Sequence, residues 1–222
     1  MLKLWYECLN DCGYTFEEFL LSPTQLGIPN HRTRYYMVCE RSKRFSCQVR
    51  RKDDVFLSKL PPLAARTGTS ELDHQSSDTG VEMKSVSDYI IQEEYDEVFT
   101  QSLMVPDGVF EKKWVKDLGI VCPLDKSTHC FTAAYGRQLH RATGSLLLID
   151  PDRKTSVANS PIDRSKMQEY KGMLRRFGPS ELLRLFGFPS GASFPEEISL
   201  SHQFKLIGNS VNVAGKNESI TI

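Results

Sequence analysis

The sequence predicts an α/β fold, because some segments repeat apolar residues at helical spacing while others form short β-prone runs. Apolar side chains recur three or four positions apart over residues 2–12, which is the spacing of one helix face. A second helix is predicted over residues 179–186, with a proline at its first position. Aromatic and aliphatic residues crowd segments 14–21, 34–39 and 146–149, and each is predicted to be a strand.

The remaining elements follow from shorter signals. Gly13 stands directly after the first helical segment, where a C-cap is expected. Residues 25–30 form a turn-rich loop between the first two strands. Apolar residues within 86–99 and 109–118 predict two further helices. The segment 60–80 is rich in Pro, Gly, Ser, Thr and Asp and is predicted to be a loop or linker.

Length and composition are those of a globular protein. The chain has 222 residues, 40% of them hydrophobic, which fits one or two domains and excludes a collagen, a coiled-coil rod and a disordered chain. No run approaches the roughly 18 apolar residues of a membrane span. An acidic residue in the first turns excludes a secretory signal. We therefore expect no membrane partner.

The cysteines indicate a reducing compartment. None of the six forms a Cys-x-x-Cys pair, and no zinc spacing is present. A secreted disulfide scaffold would be shorter and richer in cysteine. We expect reduced, mostly buried thiols, no metal, and a location in the cytoplasm with the nucleus as a second compartment.

Charge is balanced overall but not along the chain. The 28 basic residues equal the 28 acidic ones, so no global field attracts nucleic acid. Residues 41–59 hold seven basic and two acidic residues, a net of +5, whereas residues 71–97 hold nine acids and one lysine, a net of −8. Solvated surface explains the acidic run. For the basic run, solvated surface and contact with phosphates stay open as alternatives.

Three segments resemble motifs of a known family. They are Leu-Gly-Ile-Pro-Asn-His-Arg-Thr-Arg-Tyr at 26–35, Arg-Arg-Phe-Gly-Pro-Ser-Glu-Leu-Leu-Arg-Leu-Phe-Gly-Phe-Pro at 175–189, and Leu-Ile-Gly-Asn-Ser-Val at 206–211. In this order they resemble the last three motifs of the cytosine-5 methyltransferases. Cys-Phe-Thr-Ala-Ala-Tyr-Gly at 130–136 and Thr-Gly-Ser at 143–145 are similar to the branch that methylates transfer RNA, as are Ser-Pro-Thr at 22–24 and Phe-Pro-Glu-Glu-Ile at 194–198.

The resemblance implies a fold and a domain order. It implies the C-terminal portion of a Rossmann-like methyltransferase dependent on S-adenosylmethionine, with a small inserted target-recognition domain. Residues 1–40 would end the catalytic domain, residues 41–168 would form the target-recognition domain, and residues 169–222 would return to the catalytic domain. After Val213 the sequence departs from the apolar helix of the family, which we interpret as an altered C-terminus.

The resemblance also assigns residues. Arg32 and Arg34 match two family arginines that hold a base carbonyl and its phosphate, with Asn30 in place of the family glutamine and His31 near phosphate. The alternative is a pair of surface arginines at a strand start. Asn209 and Ser210 match the motif that closes over the methyl donor, and the alternative or additional role is the N-cap of a following helix.

The insert signature is the expected site of substrate recognition. Its residues are Cys130, Phe131, Thr132, Tyr135 and Gly136. An exposed aromatic ring can stack on an unpaired base, which is how single-stranded RNA loops are often read. Packing inside the small domain is the alternative for Phe131 and Tyr135. For Cys130 we expect packing rather than a nucleophilic role.

The implied reaction is methyl transfer from S-adenosylmethionine to C5 of a cytosine in a tRNA anticodon loop, with tRNA-Asp as the expected substrate and DNA as a possible one. The family's Pro-Pro-Cys nucleophile, Glu-Asn-Val acid and Gly-x-Gly donor loop do not occur among the 222 residues. We therefore expect this chain alone to be inactive and not to hold the cofactor unaided. The alternatives are an inactive fragment that binds tRNA or another nucleic acid, and a non-functional isoform. Family members are monomers, but this fragment is expected to aggregate or to need the missing half.

Overall fold

The computed structural model describes residues 2–41, 82–91, 95–149 and 162–213. Most of the basic run, the linker at 60–80, part of the acidic run and the altered C-terminus lie outside them. In chain order the elements are α1 (Leu2–Asp11), β1 (Thr15–Leu21), β2 (Arg34–Glu40), α2 (Glu97–Leu103), β3 (Ile120–Val121), β4 (Leu146–Leu148), β5 (Leu174–Arg176), α3 (Pro179–Leu185) and α4 (Leu200–Asn209). The predicted α/β class is confirmed.

Helix α1 packs across an antiparallel hairpin. β1 pairs with β2 in a register that runs from Thr15 opposite Glu40 to Leu21 opposite Arg34. The Tyr6 ring stacks on Phe16 with centroids 5.1 Å apart. Helix α1 ends at Asp11, and Gly13 follows it as expected, with a φ of 76° and its N–H donating to the Asn10 carbonyl at 2.9 Å. The hairpin thus carries the loop 22–33 at one end.

A three-stranded mixed sheet separates two apolar clusters. β4 lies in the middle, parallel to β3 and antiparallel to β5. Neighbouring residues of a strand point to opposite faces, so Leu147 packs with Phe131, Phe177 and α3, while Leu146 and Leu148 pack in a second cluster that includes Met167. Both faces of this short sheet are therefore buried.

The single helices predicted over 86–99 and 109–118 are wrong. A 3₁₀ turn covers Val86–Tyr89, and Ile90 is extended, while helix α2 begins only at Glu97. Hydrogen bonds to distant partners hold the first segment out of a helix: the N–H of Val86 donates to Asp125, and that of Ile91 donates to Glu181. Over the second segment the structure has 3₁₀ turns at Asp107–Val109 and Lys113–Asp117.

Strands from both sides of the predicted domain boundary at residue 168 meet in the mixed sheet. β4 lies before that boundary and β5 after it, and they pair from Leu146 opposite Arg176 to Leu148 opposite Leu174. The buried apolar cluster on one face of this sheet also contains residues from before and after residue 168. The division of the chain at 40 and 168 stays a prediction.

Candidate functional site

Three distant segments meet at the Arg32 side chain, which lies just before β2 and is only 3% exposed. One terminal nitrogen donates to the Phe131 carbonyl at 2.7 Å. The other donates to the carbonyls of Gly208 at 2.9 Å and Ser210 at 2.6 Å. The guanidinium also lies 5.1 Å from the centre of the Phe186 ring. A surface arginine, the alternative drawn from sequence, is therefore wrong for Arg32.

The loop before β2 holds the Arg32 backbone in place. The Ser22 hydroxyl accepts a hydrogen bond from the Arg32 N–H at 3.2 Å. Ser22 in turn donates its own N–H to the Gln25 side chain at 2.8 Å, which closes the 3₁₀ turn Pro23–Leu26. Gly27 ends that turn with a φ of 74°, a conformation that favours glycine. The Ser-Pro-Thr sequence at 22–24 thus fixes the position of the backbone that carries Arg32.

Few donors of Arg32 are left for a ligand. A guanidinium has five N–H donors. The terminal nitrogens serve three carbonyls and approach Cys130 Sγ at 3.4 Å, while Nε has no partner within the described residues and is itself buried. Burial lowers the pKa of Arg32, and the nearby charge of Arg34 lowers it further. Arg32 therefore joins the three segments together.

Arg34 has a different environment. Its side chain is half-buried, and one terminal nitrogen donates to the Thr33 carbonyl at 2.8 Å. The other lies 3.8 Å from Cys130 Sγ, the same sulfur that Arg32 approaches. Alternating residues of an extended segment lie on one side of it, which agrees with this common contact. Arg34 keeps donors that can reach a substrate.

Asn30 and Thr128 form a buried polar neighbourhood below the arginines. Their segments are hydrogen-bonded, with the Thr128 N–H donating to the Pro29 carbonyl at 2.9 Å. Asn30 is fully buried, and neither its side-chain atoms nor the Thr128 hydroxyl has a partner among the residues described. His31 is exposed beside them.

The insert signature forms packing contacts rather than a stacking surface. Phe131 is 1% exposed and Tyr135 2%, so base stacking by either ring, one of the two roles expected from sequence, is wrong for this structure. Their rings meet edge to face at 5.0 Å. The Tyr135 hydroxyl donates to the Ser145 carbonyl at 2.8 Å and accepts from the Phe177 N–H at 2.9 Å, and burial raises the pKa of Tyr135.

The glycines of the signature make this packing possible. Gly144 has a φ of 146°, and a Cβ on it would lie 2.5 Å from the Tyr135 ring. A Cβ on Gly136 would lie 2.8 Å from the Phe204 ring. Cys130, Thr132 and Gly136 are half-buried, and a role for them in substrate recognition stays a prediction.

Asn209 and Ser210 end helix α4. Asn209 is the last helical residue and is exposed, and Ser210 is the C-cap, with its hydroxyl donating to the Ile207 carbonyl at 2.7 Å. An N-cap role is wrong, because residues 211–213 are not helical. The Ser210 carbonyl still touches Arg32, so this motif lies at the same place as the arginines.

A buried ion pair joins β5 and α3, and sequence reasoning assigned it no role. Arg175 of β5 and Glu181 of α3 make two hydrogen bonds at 2.8 and 2.7 Å. Burial by itself lowers the pKa of Arg175, but the hydrogen bonds and charge of Glu181 outweigh it and raise that pKa. The signal in the sequence was an acid three residues after the N-cap Gly178, since Glu181 accepts the Gly178 N–H at 2.7 Å.

The described parts of the chain contain no group of three His, Cys, Asp or Glu side chains placed to hold a metal ion. Nor does any helix within them have the length and apolar character needed to cross a bilayer. The site is therefore defined by arginines, a thiol and backbone groups.

The family model for C-5 cytosine-specific DNA methylases matches residues 1–220. The chain belongs to this family. The match includes all three segments that meet at Arg32. The resemblance to the tRNA-methylating branch is confirmed by several relatives of the chain.

Those relatives are named tRNA (cytosine(38)-C(5))-methyltransferases. The Homo sapiens protein is 26% identical over 254 residues, covering 95% of this chain and 63% of its own length. The Spodoptera frugiperda protein is 29% identical, covering 99% and 60%. The Schizosaccharomyces pombe protein is 30% identical, covering 92% and 53%. The chain thus spans about three fifths of the length of the curated relatives it matches.

Solved structures agree with the fold. A crystal structure of Spodoptera frugiperda DNMT2 with three substitutions superposes with a TM-score of 0.69 at 30% identity, covering 97% of this chain and 60% of that one. The S. pombe Dnmt2 methyltransferase gives a TM-score of 0.64 at 24% identity, covering 96% and 58%. The second likeness supports the fold alone.

The family implies S-adenosylmethionine as methyl donor. Asn209 presents an amide at the surface, but the Ser210 hydroxyl is already bonded to its own helix. No Gly-x-Gly sequence occurs in the 222 residues to cradle a nucleoside.

We expect Gly208→Ala to lower the free energy of unfolding by about 2–3 kcal/mol, because overpacking against rigid atoms has costs of this order. A Cβ on Gly208 would overlap the backbone of Thr132 and Ala133, which no side-chain rotation can relieve. Urea denaturation followed by circular dichroism measures the change. Gly108→Ala is the matched control, since nothing lies within 4 Å of its added Cβ. Equal effects at both positions would contradict the close helix–loop contact.

Proposed function

We propose that this chain forms the base-binding side of a tRNA cytosine-5 methyltransferase, which transfers the methyl group of S-adenosylmethionine to C5 of a cytosine in the anticodon loop, with tRNA-Asp as substrate. The observation that carries the proposal is the meeting of Arg32, Arg34, Cys130 and Ser210 in one cluster. The names of the relatives favour tRNA over DNA.

Within that reaction the two arginines have separate roles. Arg34 contacts the target cytosine or its phosphate, because its half-buried guanidinium keeps donors available. Arg32 is a positioning residue, since its terminal nitrogens already bind three carbonyls. A planar guanidinium beside a base carbonyl stabilises the negative charge that develops when a nucleophile adds to the ring.

The nucleophile itself has to come from polypeptide outside these 222 residues. C5 of cytosine is a poor nucleophile until a thiolate adds to the ring, and the Pro-Pro-Cys sequence that supplies this thiolate in the family does not occur here. This absence favours a second candidate function, in which the chain binds tRNA without catalysing methyl transfer. Both candidates use the same arginine cluster to bind RNA.

We expect the chain to bind an unmodified tRNA with an affinity that falls as salt rises, because phosphate contacts release counterions. Arg34→Ala should weaken this binding on the order of tenfold, the loss expected for one charge-assisted contact. Filter binding at several salt concentrations measures both effects. Lys205→Ala is the matched control, since it removes an exposed charge from helix α4 outside the arginine cluster.

Activity is tested in the same samples with labelled S-adenosylmethionine. The chain alone should incorporate only background label into tRNA, because it supplies no Pro-Pro-Cys thiol. Turnover would contradict our assignment of the nucleophile to other polypeptide. Absence of tRNA binding, or tighter binding to duplex DNA than to tRNA, would contradict the proposed substrate.

We place the protein in the cytoplasm, with the nucleus as a second compartment. The expectation of mostly buried thiols is wrong for the described residues, because Cys8, Cys12 and Cys39 are exposed. Their thiols are free, and free exposed thiols support a reducing environment. Fractionation of cells expressing the tagged protein tests this placement.

A further inference from the structure

A second basic groove lies apart from the arginine cluster. It has a volume of about 620 Å³ and is lined by Trp114, Arg137, Gln138, Leu139, His140 and Arg176. None of the residues that surround Arg32 belongs to this lining. We call it the Trp114 groove.

Trp114 presents an aromatic ring to this groove. It lies on the 3₁₀ turn Lys113–Asp117 and is 40% exposed, although its neighbour Val115 is buried in the second apolar cluster. The turn is thus anchored through Val115 while the indole remains at the surface. An indole that is accessible on a fixed turn is a suitable platform for an unpaired base, because every base has a π face.

The charges around the groove are positive. Two arginines and a histidine line it, and no acidic residue does. The turn that carries Trp114 adds Lys113 and Lys116 against one acid, Asp117. This arrangement complements a phosphate backbone.

Two more arginines are attached to the same turn. The Arg164 side chain donates to the Leu118 carbonyl at 2.9 Å, and the Arg141 N–H donates to the Asp117 carbonyl at 3.3 Å. Burial has the largest effect on the pKa of His129 and lowers it. The positive charges of Arg141 and Arg164 lower this pKa further, so both lie close to the ring. The basic surface therefore extends beyond the lining.

Arg176 is the strongest single indication of an anion. It is half-buried at the end of β5, and burial lowers its pKa. Its Nε is fully buried and has no hydrogen-bond partner within the described residues. A partly buried guanidinium without a carboxylate is stabilised by an anionic ligand. Arg137, which also lines the groove, offers a second cation to the same ligand.

We propose that the Trp114 groove binds a single-stranded segment of RNA, with one base stacked on Trp114 and the adjoining phosphates at Arg137 and Arg176. This inference rests on the proposed function, because the RNA expected in the groove is a part of the tRNA other than its target cytosine. Residues of the groove lie next to the buried residues that pack beneath the insert signature. Arg137 follows the Tyr135–Gly136 loop, and Arg176 precedes the buried Phe177.

The test uses the full chain with Trp5→Phe, which leaves Trp114 as the remaining tryptophan. The probe is an unstructured pyrimidine RNA of about ten nucleotides, which falls within the usual range of single-strand sites. We expect saturable quenching of the Trp114 fluorescence and an affinity that falls with salt. Variants without the Trp114 indole are compared by fluorescence anisotropy of the labelled oligomer. Trp114→Ala should weaken binding on the order of tenfold, while Trp114→Phe, which keeps a ring, should weaken it less.

Separate variants test the phosphate contacts. Arg137→Ala combined with Arg176→Ala should weaken RNA binding more than Lys205→Ala does. An abasic oligomer of equal length should bind more weakly to the unmodified chain in fluorescence anisotropy, a comparison that needs no substitution. Equal binding of the abasic oligomer, or equal competition by polyglutamate, would overturn base stacking in the groove.

The two proposals can fail separately. If tRNA binding depends on Arg34 but Trp114 does not respond to RNA, the groove proposal falls and the proposed function stands. If Trp114 is quenched and the groove variants weaken RNA binding while Arg34→Ala has no effect on tRNA, the groove proposal stands and the proposed function falls. Circular dichroism of each variant confirms that it is folded before binding is compared.

Discussion

Replacing Glu181 with glutamine should lower the free energy of unfolding by about 3–5 kcal/mol, the usual loss when one partner of a buried ion pair is removed. Glu181 is fully buried and accepts four hydrogen bonds: two from Arg175, and one each from the N–H groups of Gly178 and Ile91. Glutamine keeps the shape but removes the charge, so the Arg175 guanidinium stays buried without a counter-ion.

Urea denaturation measures this change, and an exposed pair provides the control. Lys171 and Asp107 lie 3.1 Å apart, with side chains that are 47% and 68% exposed. Asp107→Asn should cost less than about 1 kcal/mol, since surface ion pairs contribute little. Similar losses at both positions would show that burial is not what makes Glu181 important. Replacing Arg175 and Glu181 together by apolar residues should recover only part of the loss, because Gly178 and Ile91 would still lack an acceptor.

Arg32→Ala should cost at least about 4.5 kcal/mol of unfolding free energy, because hydrogen bonds to a charged donor are each worth about 1.5–3 kcal/mol and three carbonyls lose theirs. Those carbonyls belong to Phe131, Gly208 and Ser210, so the loop and the end of α4 would separate from the strand that carries Arg34. Chemical denaturation measures the loss of stability. Hydrogen exchange of the backbone amides in the Phe131 loop and at the end of α4 measures the local separation.

Two variants separate the positioning role of Arg32 from a loss of charge. Arg32→Lys keeps the charge but cannot reach three carbonyls from one planar group, so it should recover less than half of the lost stability. Arg34→Ala should weaken tRNA binding with little effect on unfolding, because Arg34 accounts for one carbonyl contact that lies next to it in sequence. A stability loss at Arg34 equal to that at Arg32 would contradict this division.

Local sequence determined the elements whose signals lie within a few residues. Helix α1 with Gly13 after it, the strands of the hairpin, and α3 with its proline all occur where the pattern predicted them. The segments 86–99 and 109–118 were different. Their apolar residues have helical spacing, but backbone hydrogen bonds to Asp125 and Glu181 hold the first segment in a 3₁₀ turn and an extended stretch.

The candidate site followed a similar division. The motif order in the sequence identified Arg32, Arg34, Cys130 and Ser210, and the structure brings all four together. Exposure could not be read from the motifs, since Phe131 and Tyr135 belong to the signature yet are buried by Phe177 and Phe204 from far along the chain. The Trp114 groove is similar, because its walls come from three segments that sequence spacing does not connect.

The sequence by itself determined the family, the order of its motifs and the elements with strong local signals, because those depend on residue identity and short-range spacing. Tertiary structure decided which motif residues touch. It buried Arg32, whose terminal nitrogens donate to carbonyls of two other segments, and it left Arg34 half-buried only two residues away. The physical reason is that a hydrogen bond between residues 32 and 208 depends on packing, and packing depends on the whole chain at once.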